Sequence, residues 1–517
     1  MAALAIIRAA LAGKHYAALF SRHAPDEHLC AQIAAEFPHC AIDWIGCADA
    51  QTFQAAYHPA LSTLNPRGIS IYPLSARQRW WFFSPQNIHL LPQHFSPEHL
   101  HLIDGTLPEM SVPPQKPWFR LPESVPVSRV CIVGGGIAAA ATAHALAQHG
   151  VAVTVLEAAR IAGAASGNRQ GLLYAQISPH DTVQSRLLLQ AYGFALGTLR
   201  LGLPESDAWQ QCGVLHLDHD AAATRRNRAL VAQPCSLYRY LEREQASDCA
   251  GMELASGGLW WPHGAWIHPP ALVRALLRHP LIDVREHTRI VQLQHNDHAW
   301  QLHAADGTVF SGSHVVLCSG AAQDLIRPLG IEPAVIRGQT DNARADAFSG
   351  SLKTALSGAS YISPAWQNAH CFGATFQPHD EDTAIRAADS AENHAALARL
   401  NPQLSASLSR EPLAAHAALR CDAYDHLPVV GALGDAAAMR QVYAKLAHDK
   451  NYRLEADCPY LPQLYVNTAH GSRGLLSAPL CGAAVAAEIL GLPHPFDHAL
   501  RAALSPNRLI IRNIIRF

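Results

Sequence analysis

The sequence lacks several features that would assign it at once to a class of protein. Its 517 residues carry a net charge of only −2, so no overall attraction draws it to nucleic acid or to a membrane. It contains 12 cysteines, but no pair is spaced as C-x-x-C, which favours reduced thiols over a zinc site or a disulfide framework. The 31 histidines form no H-E-x-x-H pattern, so we expect no bound metal.

Long uninterrupted hydrophobic runs are also missing. The segment from Met1 to Phe20 contains Arg8 and Lys14 and lacks the ordered parts of a signal peptide, so it reads as a first amphipathic helix. The most apolar later segment, 131–143, is interrupted by three glycines and is too short to cross a bilayer. We therefore expect a cytoplasmic protein that binds neither membrane nor DNA.

The chain divides into four parts. With 49% hydrophobic and 15% charged residues it is globular, and its length exceeds one ordinary core. Residues 1–110 alternate helical patterns (Glu27 to Phe37, Ala48 to Tyr57) with apolar runs such as Ala41 to Gly46, which predicts a small α/β block. Clustered prolines mark 111–127 as an extended linker. Residues 128–500 form the main body, and 501–517 a basic tail.

A dinucleotide-binding fingerprint begins directly after the linker. A short apolar run starting at Val130 leads into three glycines and an alanine-rich helix, and a second apolar strand ends on Glu157. Gly134 permits the tight turn, Gly136 lets the backbone approach a pyrophosphate, and Ala139 allows helix and strand to pack closely. The acid is placed to accept hydrogen bonds from a ribose. The pattern indicates an adenine dinucleotide, with an ordinary glycine-rich turn as the alternative.

Other small-residue turns are suited to lie along the same cofactor. The loop 164–171 is one, unless it is simply a flexible loop, and the strand 314–318 ends in another. Strand, glycine-rich turn and helix recur over 464–490, with the helix expected from Pro479 to Leu490, so a second helix N-terminus is predicted to face the cofactor. Elsewhere a strand is predicted at 213–217 and a helix at Pro269 to Leu277. The candidate cofactor residues in these turns are Ser166, Asn168, Ser319, Gly320, Gly471, Ser472, Gly474 and Leu475.

These pieces, in this order, resemble the flavin amine oxidases of the D-amino-acid oxidase and glycine oxidase type over roughly residues 128–500. The strings 467–480 (NTAHGSRGLLSAPL) and 505–508 (SPNR), with Ser166-Gly-Asn168 and Pro117-Trp-Phe119, resemble more narrowly the flavin half of the bifunctional enzymes of tRNA 5-methylaminomethyl-2-thiouridine biosynthesis. The resemblance implies FAD and an α/β fold. In it, a Rossmann-type FAD-binding part (128–212, 265–335, 415–500) interleaves with an antiparallel β-rich substrate part (213–264, 336–414).

The resemblance also implies a reaction and a site. The reaction is oxidative removal of the carboxymethyl group of 5-carboxymethylaminomethyl(-2-thio)uridine at the tRNA wobble position, which leaves the aminomethyl nucleoside and glyoxylate. Arg420 would hold the substrate carboxylate, Tyr361 would contact the substrate, and Arg473 would serve substrate or flavin. From the residues alone, a salt-bridged arginine, a core tyrosine and a structural or phosphate-binding arginine stay open. Asp425 and His426 precede Leu427-Pro428 and indicate turn chemistry, not an acid–base pair.

Three other functions compete with this one. Methyl transfer from S-adenosylmethionine needs a glycine-rich loop, but residues 1–110 contain only four scattered glycines and are short for such a domain, so we expect none. A small-molecule glycine or D-amino-acid oxidase would not need a tRNA-binding tail. A non-catalytic flavoprotein or RNA-binding scaffold would not need Arg420 and its neighbours. In the tail, Arg508, Arg512 and Arg516 recur every four residues, so a helix would align them to meet tRNA phosphates, or would simply be solvated.

Overall fold

In its described residues, the first part of the structure is a small, mostly parallel sheet with two helices. The structure is a computed structural model, and it describes residues 2–21, 27–47, 65, 68–232, 235–296, 299–409 and 411–516. The sheet has the order β3-β4-β2-β1-β5, in which only β3 runs antiparallel to its neighbour. The elements are α1 (Ala2–Leu11), β1 (Tyr16–Ser21), α2 (Glu27–Glu36), β2 (Ala41–Cys47), β3 (Ser70–Ser75), β4 (Gln78–Phe83) and β5 (Leu100–Leu102).

This block confirms the predicted α2 and β2 and corrects the N-terminus. The single helix expected over residues 1–20 is wrong, because α1 ends at Leu11 and the chain continues as β1. Gly13 adopts φ +70, a left-handed conformation that ends a helix and that glycine tolerates best. The helix predicted for Ala48 to Tyr57 lies outside the described residues.

A six-stranded sheet forms the centre of the main body and contains the strand, turn and helix predicted for the fingerprint. Its order is β14-β7-β6-β18-β26-β25, parallel except for β25. The fingerprint forms strand, turn and helix as expected, and the alanine face of α3 packs on α11 beside the sheet. The elements are β6 (Val130–Val133), α3 (Ile137–Gln148), β7 (Val153–Leu156), β14 (Ile282–Arg285), β18 (His314–Leu317), β25 (Val429–Gly434), β26 (Tyr460–Thr468) and α11 (Gly474–Leu490).

The helix expected from Pro479 to Leu490 begins earlier than predicted. It starts at Gly474, so Pro479 lies inside α11. Proline removes one backbone donor from the helical ladder, which made it a reasonable start signal. The buried packing of α11 offsets that lost hydrogen bond, since the helix is buried from Leu476 to Ile489.

A nine-stranded, largely antiparallel sheet forms the second half of the main body. Its order is β11-β12-β10-β20-β21-β22-β19-β23, and β24 pairs with β19. The strands are β10 (Val214–Leu217), β11 (Arg239–Leu241), β12 (Gly258–Trp261), β19 (Ala334–Arg344), β20 (Ala355–Ser357), β21 (Tyr361–Ile362), β22 (Ala369–Gly373), β23 (Gln377–Pro378) and β24 (Ala414–Asp422). The expected boundary at 415 is wrong, because β24 pairs along the length of β19 and so belongs to this sheet.

Two three-stranded sheets and the remaining helices complete the fold. The sheets are β8 (Gly171–Leu173) with β13 (Ala265–Ile267) and β9 (Trp209–Gln210), and β15 (Ile290–His295) with β16 (Trp300–Ala304) and β17 (Val309–Gly312). The helices are α4 (Val183–Gly202), α5 (Ala221–Val231), α6 (Arg243–Ala250), α7 (Pro269–Leu277, as predicted), α8 (Ala387–Leu400), α9 (Pro402–Ser407), α10 (Ala436–Val442), α12 (His498–Leu504) and α13 (Asn507–Arg516). Within the described part of the chain, no helix has the length and apolar character that a membrane span requires.

The proline-rich segment and the C-terminal tail are both packed against the main body. Trp118 is buried and lies edge-on to Tyr443, with ring centroids 5.4 Å apart, and its carbonyl accepts a hydrogen bond from Asn507. The tail is not a free basic extension, because Leu509, Ile510, Ile511 and Ile514 of α13 are buried.

Candidate functional site

The fingerprint turn is built around a close contact between two strands. Gly134 has φ +112, and a Cβ there would lie 2.4 Å from the carbonyl oxygen of Cys318. Only glycine satisfies both constraints. A Cβ on Gly136 would lie 3.2 Å from Ser166 Oγ, and that hydroxyl accepts a hydrogen bond from the backbone N–H of Ile137 at the start of α3. The turn thus brings the predicted loop 164–171 to the N-terminus of the first helix.

The second predicted helix N-terminus lies at the same place. A Cβ on Gly474 would be 3.2 Å from a methyl of Ile137, so the starts of α3 and α11 adjoin each other. Leu475 packs against Gly171, where a Cβ would lie 2.6 Å from the leucine methyl. Free N–H groups and the positive dipole ends of both helices therefore converge, which is the arrangement that stabilises phosphate groups.

The polar groups expected along a cofactor lie at three places in the main body. Ser319 Oγ is buried and has no hydrogen-bond partner among the described residues, and the neighbouring Gly320 has φ +55 with open space beside it. The side chain of Glu157 lies against Gly135 and accepts a hydrogen bond from Ala159. Gly471 and the exposed Ser472 lie in the turn before α11.

The side chain of Asn168, which was predicted to bind the cofactor, is hydrogen-bonded to protein groups. Its amide donates to the Tyr361 hydroxyl at 2.9 Å, and its carbonyl oxygen accepts from Thr340 Oγ at 2.9 Å. Cys371 Sγ lies 3.4 Å from the same oxygen. Asn168 therefore links the cofactor loop to three strands of the antiparallel sheet.

Arg420 and Tyr361 are brought together beside this link. Burial raises the pKa of Tyr361 well above its usual value, and the thiol of Cys371 adds to the effect. Its hydroxyl therefore stays protonated, and it donates to the carbonyl of Gln170 at 3.2 Å. Burial lowers the pKa of the Arg420 guanidinium, which the phenol of Tyr361 partly opposes.

Arg420 has one hydrogen bond to the protein and no carboxylate partner within the described chain. Its Nη1 donates to the carbonyl oxygen of Thr375 at 3.1 Å. Two other arginines of low exposure have carboxylate partners: Arg337 is paired with Asp389, and Arg79 with Asp43 at 2.8 Å. Because a charge that is partly removed from water and has no counter-ion is costly, the Arg420 site is suited to an anionic ligand.

Arg473 interacts electrostatically with other groups, Asp422 and Tyr174. Burial lowers the pKa of its guanidinium, while Asp422 and the phenol of Tyr174 act in the opposite direction. The Tyr174 hydroxyl is 2.7 Å from Ser357 Oγ, and its ring stacks on His216. Sequence reasoning missed Tyr174, because a tyrosine next to a short strand carries no motif.

The C-terminal arginines do not form the predicted phosphate-binding face. The Arg508 side chain is 8% exposed, and its Nε and Nη2 donate to both oxygens of Asp425 at 2.9 and 3.0 Å. Arg512 lies over the ring of Tyr424, and Arg516 is exposed. Asp425 also accepts from the N–H of Leu427, which confirms the turn role predicted for it.

A model of the FAD dependent oxidoreductase family (DAO) matches residues 129–488, and the chain belongs to this family. FAD is therefore its cofactor. Among curated proteins, it is 42% identical to the tRNA 5-methylaminomethyl-2-thiouridine biosynthesis bifunctional protein MnmC of Chromobacterium violaceum, over 78% of this chain and 62% of that protein. It is 38% identical to MnmC of Pseudomonas putida strain GB-1, over 78% and 63%. The chain thus spans less than two thirds of the length of these relatives.

Solved structures share the fold at low identity. Glycine oxidase from Geobacillus kaustophilus matches with a TM-score of 0.59 and 22% identity, over 73% of this chain and 98% of that one. Iminodiacetate oxidase from Chelativorans sp. BNC1 matches with a TM-score of 0.57 and 20% identity, over 71% and 96%. These matches confirm the predicted glycine-oxidase-like fold.

Proposed function

We propose that this chain oxidises a secondary amine that carries a carboxymethyl group, on 5-carboxymethylaminomethyl(-2-thio)uridine at the wobble position of tRNA. Oxidation of the glycyl C–N bond to C=N removes two electrons, and water then hydrolyses the imine to glyoxylate and the aminomethyl nucleoside. The observation that carries the proposal is the half-buried Arg420 guanidinium, which has no acidic partner among the described residues. The similarity to MnmC proteins supports tRNA as the carrier of the substrate.

In this proposal FAD is held by the residues that surround the two adjoining helix N-termini. Gly134, Gly136 and Ala139 shape the turn, Glu157 accepts from the ribose, and the unpartnered hydroxyl of Ser319 gains a partner. Further contacts come from Ser166, Gly320, Gly471, Ser472, Gly474 and Leu475, whereas Asn168 acts through Tyr361. Bound FAD supplies the two-electron oxidant.

The protein's own side chains position the substrate. Arg420 binds the carboxylate in the planar, bidentate manner that a guanidinium allows, which orients the adjacent glycyl carbon. Tyr361, protonated and held by Asn168, contributes a directed hydroxyl next to the same carboxylate. The partial burial of both groups limits the access of water and strengthens the ionic contact. We assign Arg473 to the flavin or to the substrate on the side of Tyr174.

The test uses the full chain loaded with FAD and tRNA that carries the carboxymethylaminomethyl nucleoside. Nucleoside mass spectrometry should show conversion to the aminomethyl form, with one glyoxylate released per nucleoside. A small N-substituted glycine such as sarcosine serves as a parallel substrate. Turnover of sarcosine with no change in the tRNA would favour a small-molecule oxidase, and turnover of neither would favour a non-catalytic flavoprotein.

We also propose that residues 1–110 transfer no methyl group. The sequence between β1 and α2, residues 22–26 (RHAPD), contains no glycine, although an S-adenosylmethionine site of the usual kind needs a glycine-rich turn after its first strand. Labelled S-adenosylmethionine and aminomethyl-tRNA should therefore give no labelled tRNA. Labelling above that of a protein-free control would contradict this.

A further inference from the structure

Strand β19 presents two different faces. Arg337, Gln339 and Asp341 point toward α8, where they form a buried polar network: Gln339 donates to Ser390 at 3.0 Å, and Asp341 accepts from Asn393 at 2.7 Å. The alternate residues face the opposite side, as the two-residue period of a strand requires. On that side Thr340 donates to Asn168, so Gly338 shares a face with the candidate site.

The guanidinium of Arg420 occupies the space above Gly338. A Cβ at Gly338 would lie 2.4 Å from Nη2, 2.6 Å from Cζ and 2.7 Å from Nη1 of Arg420. These separations are too short for any real side chain. Gly338 is not among the residues with positive φ, so the backbone itself accepts alanine. A side chain at this position would therefore displace the Arg420 guanidinium.

We propose that Gly338 is a positioning residue for the oxidation: by having no side chain, it seats the Arg420 guanidinium where the substrate carboxylate binds. This rests on the proposed function, in which Arg420 is the carboxylate clamp. Thr375 completes the seat. Its hydroxyl accepts from the N–H of Gln339 at 2.9 Å, and its carbonyl oxygen accepts from Arg420 at 3.1 Å. The guanidinium thus lies between the backbone of Gly338 and the carbonyl oxygen of Thr375.

The variant Gly338→Ala separates this role from sheet packing. The three atoms nearest to the added methyl all belong to the flexible end of Arg420, so the sheet should stay intact while the guanidinium moves away from its position above Gly338. The holoenzyme should keep its flavin spectrum and melting temperature. Its affinity for methoxyacetate, an N-methylglycine analogue without an oxidisable amine, should fall at least about tenfold, since a charge-assisted contact is misplaced. With the oxidisable substrate, KM should rise more than kcat falls.

Two controls make the measurement specific. Gly350→Ala adds the same methyl at a position with nothing within 4 Å and should bind methoxyacetate as the wild type does. In an Arg420→Ala background, Gly338→Ala should change the methoxyacetate affinity by less than about twofold, because the displaced group is already gone. The double variant therefore tests directly whether Gly338 acts through Arg420, because the two effects should then not be additive.

The outcomes are distinct. Wild-type methoxyacetate affinity in Gly338→Ala overturns the proposal, as do additive effects with Arg420→Ala. A variant that no longer folds or retains FAD also overturns it, because Gly338 would then serve sheet packing. Failure of the wild-type enzyme to convert the tRNA nucleoside would refute the proposed substrate alone, since the methoxyacetate titration reads the Arg420 seat without turnover.

Discussion

At the scale of single residues, the two arginines on either side of β19, Arg337 and Arg420, differ in their partners. Arg337 is fully buried and is neutralised by Asp389, Gln377 and two backbone carbonyls. That pairing offsets the cost of removing a charge from water, and it joins β19 to α8. Arg420 crosses the other face of the same strand, and among the described residues its one hydrogen-bond partner is the carbonyl oxygen of Thr375. The contrast between these two arginines is the physical basis for assigning ligand binding to the second.

Replacing Arg420 with alanine should damage substrate binding more than folding. Loss of a charge-assisted carboxylate contact costs about 1.5–3 kcal/mol, or roughly ten- to several-hundred-fold in kcat/KM. Most of the loss should appear in KM, because the substrate carries its carboxylate before the reaction begins. Steady-state kinetics with carboxymethylaminomethyl-tRNA measure this. Arg420→Lys, which retains charge but not the planar fork, should recover only part of the affinity; wild-type kinetics in Arg420→Ala would remove Arg420 from the site.

Acid should destabilise the protein through buried neutral histidines, of which His314 is a clear example. It is fully buried at the start of β18, stacked on Tyr465, and burial lowers its pKa to about 4. In the unfolded chain a histidine binds its proton near pH 6.5, so the folded state binds fewer protons between about pH 6.5 and 4. Stability is full above that window and decreases as the pH falls through it, by roughly 2–3 kcal/mol for this one group.

The variant His314→Phe tests that assignment. It keeps an aromatic ring against Tyr465 and removes the titrating nitrogen. Melting temperatures measured from pH 7.5 to 4 should show a shallower decline than in the wild type, with the smallest difference at pH 7.5. A decline of unchanged slope would mean that His314 takes no part in the acid sensitivity.

At the scale of elements, the last helix is held by one ion pair and an apolar face. Arg508 at the start of α13 binds Asp425, the carbonyl of Leu427 and two carbonyls at the end of α12. Four apolar residues of α13 are buried on the main body. From sequence alone, the four-residue spacing of the three tail arginines indicated a phosphate-binding face. In the structure Arg508 is instead buried in an ion pair, and Arg516 is exposed.

Arg508→Ala should therefore behave as a stability variant. Removing one partner of a largely buried pair leaves Asp425 uncompensated, at a cost of about 3 kcal/mol. Denaturant unfolding should report this loss, while KM for tRNA at moderate salt stays close to the wild type. Arg516→Ala is the matched control and should leave stability unchanged; any contribution to tRNA binding would appear there as a weaker salt dependence. An equal stability loss in both variants would contradict this division.

At the scale of the whole molecule, the N-terminal block is docked on the nucleotide-binding part. A Cβ on Gly197 of α4 would lie 2.7 Å from Cδ of Pro73 in β3, and Arg200 donates to the Tyr72 hydroxyl at 2.9 Å. Farther along the chain, His94 Nδ1 lies 2.8 Å from the carbonyl oxygen of His494. Apolar side chains from both parts share one core cluster. The N-terminal block is therefore packed against the main body through apolar contacts and hydrogen bonds, in addition to the chain that connects them.

A single methyl group in α4 should weaken this docking. Gly197→Ala places the methyl against Pro73 and should cost about 1–3 kcal/mol, the usual range for overpacking. Gly202→Ala, in the same helix, places its methyl at ordinary contact distance from Leu272 (3.6 Å) and Leu276 (4.0 Å) and should be neutral or slightly stabilising. Limited proteolysis should release the block sooner from Gly197→Ala than from Gly202→Ala, with FAD still bound to the main body. Equal release rates would show that this contact does not govern docking.

Local patterns were sufficient for the cofactor half of the protein. The apolar run at Val130, the turn at Gly134 and the helix that follows lie next to one another along the chain, so spacing alone predicts their geometry. The same holds for α2, β2 and α7, whose patterns and end signals are local. The family resemblance extended this to Arg420 and Tyr361, which the fold brings together although they lie on different strands.

Everything that depended on distant pairing was decided by the tertiary structure. The strand that carries Arg420 belongs to the antiparallel sheet because it pairs with β19, about 80 residues earlier in the chain, and no local pattern encodes that partner. The same is true of the contact between Gly338 and Arg420 and of the ion pair between Asp425 and Arg508. Residue spacing predicts the secondary structure that a segment can form. Burial and charge pairing between distant segments determine which face of a strand lines a site and which face packs in the interior.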